Sequence, residues 1–496
     1  MNKPVGVVPE LCRLTATEAV ARLRAGDITP DELVDAAAER IAAVEPFLNA
    51  LPTLCLDRAR DRAKQLMASS RQRAGEPGWL GGLPIAIKDL TDVAGVRTTY
   101  GSQIYSDHVP KRSDLMVEHL EANGAIVIAK SNTPEFGAGA STFNEVFGKT
   151  RNPWNTAKSV AGSSGGASAA VASGEVWLAT GSDLGGSLRT PASFNSVVGL
   201  RPSPGRVARG PLLQPFNTLF VQGPIARTAA DTALFLDALC GEHREDPLSL
   251  PRPATSFSAA VHDPAVPRRI AFSPDLGIVP VDHEVVAVCE QAARHFETLG
   301  AVIDEACPDF AEAIDCFQVL RAALFAADHA EHLRNHRDQL KPEVIWNIEK
   351  GLALTAETIG DAEAARARLY QHVAAFFDSY DLLLCPAAIV PPFDVDVRYV
   401  EEVDGHRFDN YVHWISVTFA ITLTSCPALS APAGFTRNGL PVGLQIVAPP
   451  RGEAAALAAA ALLERATGIA GGLPINPRST DGRDLLIDAS AQPSSA

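Results

Sequence analysis

Residues 161–187 read Ala161-Gly162-Ser163-Ser164-Gly165-Gly166, then Ala167-Ser168-Ala169-Ala170-Val171-Ala172-Ser173, then Gly174-Glu175-Val176-Trp177-Leu178-Ala179-Thr180, and close on Gly181-Ser182-Asp183-Leu184-Gly185-Gly186-Ser187. Two glycine-serine loops are joined by a small-residue run with helical character and an apolar run with strand character. Glycines let backbone N–H groups come close to a ligand. A serine hydroxyl beside them supplies a nucleophile next to a ready oxyanion hole. The stretch therefore points to acyl transfer, carried on a loop–helix–strand–loop unit.

Working outward, the chain alternates strand-like and helical segments. Gly82–Leu90 (GLPIAIKDL) reads as a buried strand ending at Lys88-Asp89. Ala125–Lys130 reads as another, preceded by a helix over Asp114–Asn123. RIAFSPD, AVIDEA and DLLLCPA add strand-like runs, and a helix spans Asp282–Leu299. Upstream, Thr15-x-x-Glu18 opens a helix ending near Gly26, and Thr29-Pro30-Asp31-Glu32 opens a second that runs to about Val44. Alternation of this kind predicts an α/β fold, a single α/β/α sandwich whose mixed sheet is covered by helices on both faces. The expected division is a helical segment over 1–60 packed on the core, a catalytic domain over 61–474, and a polar, flexible tail over 475–496. A soft break at Gly241–Pro267 reads as an excursion.

Composition narrows the class. Of 496 residues 46% are apolar, enough for a large core, and the mean hydropathy is near zero. No run approaches the roughly 18 apolar residues of a spanning helix, and the first dozen residues do not resemble a secretory signal. A net charge of −15 opposes a nucleic-acid surface. Eight cysteines are scattered singly, without a C-x-x-C pair, which suggests reduced thiols and a cytoplasmic protein.

The chemistry of the two loops is reached by comparing bases. Gly162–Gly166 fits G-x-S-x-G around Ser164, but that elbow needs a buried strand directly before it, and RNPWNTAKSVA is a polar loop. A Ser-x-x-Lys pair fails because Ile85 stands three before Lys88. The phosphate-loop reading of FGKT fails because Phe143 stands where its first glycine belongs. What remains is a serine pair with a remote lysine. Lys88, at the end of an apolar strand, is a usable base if burial disfavours its charged form. A lysine snorkelling from a strand end is the plainer alternative.

Lys88, KSNTPEFGAGASTFNEVFGKTRNPWN, AGSSGGASAA and GSDLGGSLRTPAS together resemble the amidase signature family. The likeness continues through Gly223–Arg227 and Gly439–Pro450 and covers roughly Thr15 to Gly468. It implies the amidase signature fold and a triad of Lys88, Ser163 with a cis peptide bond, and nucleophilic Ser187. The spacing of 24 between the serines (187 − 163) matches the family. In the implied mechanism, neutral Lys88 takes a proton relayed through Ser163 while Ser187 attacks an amide carbonyl. The N–H groups of Leu184, Gly185, Gly186 and Ser187 hold the oxyanion. Asp183, Arg189 and Ser164 brace the loops, and Gly137 leaves room beside the acyl site.

The resulting expectation is an amidase that converts a carboxamide with an apolar or aromatic acyl group to acid and ammonia or amine. No cofactor, metal, nucleic acid or membrane is called for, and a homodimer is a possible assembly. Tyr411, Trp414 and Phe419 are candidates for an apolar wall or for the core. Cys316 and Cys426 lie in segments that could line the cavity but read as packing residues. His329, His332 and His336 share a helical face with metal-capable spacing, yet their neighbours read as a charged, solvated helix. Two other functions stay open: the glutaminase subunit of a tRNA-dependent amidotransferase, and a catalytically silent binding protein.

Overall fold

Apolar runs that alternate with helices build one large sheet in the computed structural model, which describes residues 8–69 and 75–487. Its strands are β1 (Thr53–Leu54), β2 (Pro84–Lys88), β3 (Ile126–Ser131), β4 (Leu178–Asp183), β5 (Val198–Arg201), β6 (Val221–Ala226), β7 (Arg269–Phe272), β8 (Val302–Glu305), β9 (Leu382–Pro386), β10 (Ala428–Phe435) and β11 (Pro441–Val447). Across the sheet they lie in the order β1-β3-β2-β4-β6-β5-β10-β11-β9-β7-β8. β2 runs parallel to β3 and β4, and β7 parallel to β8 and β9. The pairs between β4 and β9 are antiparallel, so the sheet is mixed. β2, β3, β4, β6 and β11 are buried at every position, as the apolar run of β2 requires; β4 continues past its apolar start through Gly181, Ser182 and Asp183, which the sequence places in the second glycine-serine loop. Helices flank the sheet on both sides, giving the expected α/β/α architecture.

The predicted caps form. Thr15 and Thr29 each accept from the N–H three residues on, while Glu18 and Glu32 return to the cap N–H. The second helix runs to Leu48, a turn past the expected end, and stops at Asn49 in the left-handed region at φ 54°. The buried Arg40 guanidinium ties this helix to the body by donating to Ser173 O at 2.7 Å and Ile475 O at 2.8 Å. Residues 488–496 of the polar tail, and 1–7 of the N-terminal stretch, lie outside the described residues.

Two loop–helix units position the site. Helix α1 (Gly165–Ser173) is buried at all of its residues. Its small side chains let it lie directly under the sheet, from which β4 leads to helix α2 (Arg189–Asn195). A third element, helix α3 (Ala313–His336), packs on the loop after β4, where a Cβ on Gly185 would stand 3.1 Å from the Phe317 ring. No helix among the described residues is long and apolar enough to cross a membrane.

Candidate active site

Lys88 is the last residue of β2 and is wholly buried. Its Nζ lies 2.6 Å from Ser163 Oγ, 2.9 Å from Ser164 Oγ and 2.9 Å from Ser182 Oγ. Burial pushes the amine down from 10.5 to about 7, against the pull of the Asp183 charge. The group is thus poised to exchange a proton near neutrality. Among the described residues no carboxylate pairs with it; its hydrogen-bond partners are three hydroxyls. The surface alternative for this lysine is excluded.

The Gly162–Ser163 peptide bond is cis. Ser164 N–H donates to Ser187 O at 3.2 Å, stitching the two glycine-serine loops together. Gly181 makes the approach possible, because a Cβ there would stand 2.8 Å from Ser164 Oγ and 2.6 Å from Leu188 Cδ2. Ser163 and Ser187 open on the same cavity of about 360 Å³. A smaller recess of about 30 Å³ also reaches Ser187 and is lined by Gly137, Gly185 and Tyr411 among others.

Asp183 fixes the second loop. It accepts from Gly186 N–H at 3.0 Å and Leu188 N–H at 3.2 Å. It also pairs with Arg189 at 2.9 Å and Arg201 at 3.1 Å. Burial alone would raise this carboxyl, but the two guanidinium groups outweigh it and hold it well below the usual carboxylate range. Arg189 reaches on to Thr418 O and Gln445 Oε1, at 2.8 and 2.6 Å. Of the four N–H groups expected to face an oxyanion, that of Gly186 is therefore already committed to Asp183. Those of Leu184, Gly185 and Ser187 donate to no group among the described residues. Gly186, at φ 122°, still requires glycine, since a Cβ would lie 2.2 Å from Thr418 Oγ1.

Gly137 lies in the turn Glu135–Gly137 at φ 69°. A Cβ there would stand 3.0 Å from Leu90 Cδ1 and 3.4 Å from Ser163 Oγ, so a side chain would crowd the hydroxyl. Sequence reasoning missed Ser182, Arg201 and Thr418, whose Oγ1 donates to Gly185 O at 2.7 Å. Only Ser182 carried a signal, as the serine of its own glycine-rich loop.

The histidine helix needs a correction. The face of α3 that reads as solvated packs inward: the Phe136 ring lies 4.5 Å from that of His329 and 5.1 Å from that of His332. Burial, with His332 and Arg321 nearby, pushes His329 down to about 3, so it is neutral. Glu331, Arg334 and Asn335 are exposed positions of this stretch, while Asp328 shares the cavity wall with His329. Among the described residues no three His, Cys, Asp or Glu side chains are grouped to hold a metal. Cys316, whose Sγ donates to Ala362 O at 3.2 Å, and the fully buried Cys426 pack in the core. So do Trp414 and Phe419, the latter stacked on Phe317 at 4.3 Å. Tyr411 alone of that group reaches a cavity, its hydroxyl accepting from Arg321 at 2.8 Å.

A mixed sheet with a buried lysine among serines, facing a cavity, defines an amide-hydrolysing enzyme of the acyl-serine type. The chain matches the Amidase family over residues 32–457 and belongs to it. It is 37% identical over 458 residues to an acylamidase of Rhodococcus erythropolis, covering 91% of this chain and 95% of that protein. It is 34% identical to a glutamyl-tRNA(Gln) amidotransferase subunit of Thermosynechococcus vestitus, over 84% of this chain and 90% of the other. Among solved structures, a bacterial aryl acylamidase of the amidase signature family superposes with a TM-score of 0.83 at 29% identity, covering 93% and 99% of the two chains. The protein is an amidohydrolase acting on amide C–N bonds.

Proposed function

We propose that Lys88, Ser163 and Ser187 carry the hydrolysis. In the neutral amine Nζ has two protons to give and one lone pair to receive, and Ser163 Oγ at 2.6 Å is its shortest contact. The Ser163 hydroxyl donates to that lone pair and accepts the proton of Ser187 as Ser187 Oγ attacks the amide carbonyl. The tetrahedral oxyanion is held by the N–H groups of Leu184, Gly185 and Ser187, while Gly186 spends its own on bracing the loop. The proton returns through Ser163 to the leaving nitrogen, the C–N bond breaks, and water hydrolyses the acyl-Ser187 ester with Lys88 again as base. Asp183, Arg189 and Ser164 hold the loops in register. The observation that carries this reading is a fully buried lysine, at about 7, on a serine that opens on the cavity.

The substrate is a carboxamide with an apolar or aromatic acyl group. Leu90, Phe136, Leu324, Phe325 and Phe220 face the cavity and offer it little to hydrogen-bond. Free glutamine brings an α-carboxylate, and the described residues of the lining offer it no free cation, since Arg209 donates to carbonyls of its own loop and His329 is neutral. The acylamidase of R. erythropolis and the aryl acylamidase point the same way. An ammonia-release screen over aliphatic and aromatic amides, glutamine included, tests the reading with Ser187→Ala as control. The isolated chain should act on apolar amides, and the variant on none. Strict dependence on glutamine would replace this reading with the glutaminase one.

A further inference from the structure

Among the described residues that line the cavity, Asp328 is the one carboxylate. Asp328 sits on α3 one turn beyond Leu324 and close behind Phe325, so the helix that supplies the apolar wall also carries the acid. Across the cavity runs the loop 209–220. Its Gln214 Nε2 donates to Asp328 Oδ1 at 2.9 Å and to Leu324 O at 3.3 Å, tying loop to helix and fixing the carboxylate.

The other charged or titratable side chains of this cavity leave Asp328 uncompensated. The Arg209 guanidinium is turned into its own loop, donating to the carbonyls of Asn217 and Phe220, and it feels Asp246 and Asp114. His329 is neutral. No cation among the described residues forms an ion pair with Asp328, and burial raises its carboxyl. A half-buried carboxylate whose one side-chain partner is an amide on Oδ1 presents its charge to the cavity, where an arriving cation would meet no competing partner.

Resting on the amidase reading of this site, we propose that Asp328, positioned by Gln214, is a specificity-determining residue that binds a protonated amine at the end of the acyl group remote from the scissile amide. The apolar body then lies between Leu324, Phe325 and Phe136, with its carbonyl at Ser187 and its ammonium on Asp328. The exposed Leu213 at the cavity rim, 75% accessible, marks the mouth on the loop that carries Gln214. The ammonium there keeps part of its hydration, which lowers the cost of binding it.

The test uses three 3-phenylpropanamides with hydrogen, methyl or aminomethyl at the para position, read by ammonia release. Wild type should favour aminomethyl over methyl by on the order of tenfold or more in kcat/KM, mainly through KM, as expected where a site is built around a polar group. Asp328→Asn keeps the shape and removes the charge. It should abolish that preference while leaving the parent and methyl substrates within about twofold, on an unchanged thermal melt. No preference in wild type, or a preference that survives Asp328→Asn, overturns the inference. In either case turnover of the parent amide, and its loss in Ser187→Ala, reports separately on the amidase reading.

Discussion

Replacing Lys88 by methionine isolates the cost of the buried base. The fall from 10.5 to about 7 in a wholly buried amine corresponds to roughly 5 kcal/mol, at about 1.4 kcal/mol per pKa unit. Between those two values the unfolded chain holds a proton that the folded chain lacks, so stability rises with pH across the window. The penalty is in full force below about pH 7 and fades as pH climbs toward 10.5. From about pH 7 to about pH 9 wild type should recover roughly 2 kcal/mol from this group. Methionine does not titrate, and Asp183 stays ionised throughout. The variant also leaves the hydroxyls of Ser163, Ser164 and Ser182 without the amine, a loss of about 1 kcal/mol each that does not depend on pH. Lys88→Met should therefore be about 1 kcal/mol more stable than wild type near pH 7 and about 1 kcal/mol less stable near pH 9. Urea unfolding of both proteins at the two pH values measures the difference. A difference that stays constant across the window would show that burial does not depress Lys88.

The same group sets the rate. With neutral Lys88 required as base, kcat/KM should fall about tenfold per pH unit below about 7, and a pH–rate profile on an uncharged amide reads it. Asp183→Asn strands two buried guanidinium groups and should cost about 3–5 kcal/mol in unfolding experiments. In whatever fraction stays folded, the acid limb should move to lower pH, because Asp183 is the charge that holds Lys88 up. Gly137→Val sets a β-branched side chain at φ 69° against Leu90 and Ser163 Oγ. It should lower kcat/KM by on the order of tenfold or more, seen in steady-state kinetics alongside a melting curve.

What the sequence made legible followed from local rules. Buried strands announce themselves as apolar runs, and β2 ends on Lys88 as its pattern requires. The threonine caps declare the first helices. The loops around Ser163 and Ser187 were visible because glycine is needed wherever backbone passes this close, as at Gly181. The strand order was not legible, since β4, β6, β5 and β10 become neighbours through contacts far apart in sequence. The bracing by Arg201 and Thr418 depends on that same order. α3 misled for a different reason. Glu331, Arg334 and Asn335 are exposed, while the side with Phe325, His329 and His332 packs on Phe136, and a polar letter does not say whether it is buried. The bond that Gly186 N–H gives Asp183 was not legible either, because it depends on a side-chain rotamer that no spacing encodes.

The central claim is that Ser187 forms the covalent bond while Ser163 relays its proton. Incubation with a fluorophosphonate followed by peptide mass mapping tests it directly. The account predicts one adduct per chain, on the peptide carrying Ser187, absent in Ser187→Ala and slow to form in Lys88→Met. An adduct on Ser163, or labelling undiminished in Ser187→Ala, would contradict it.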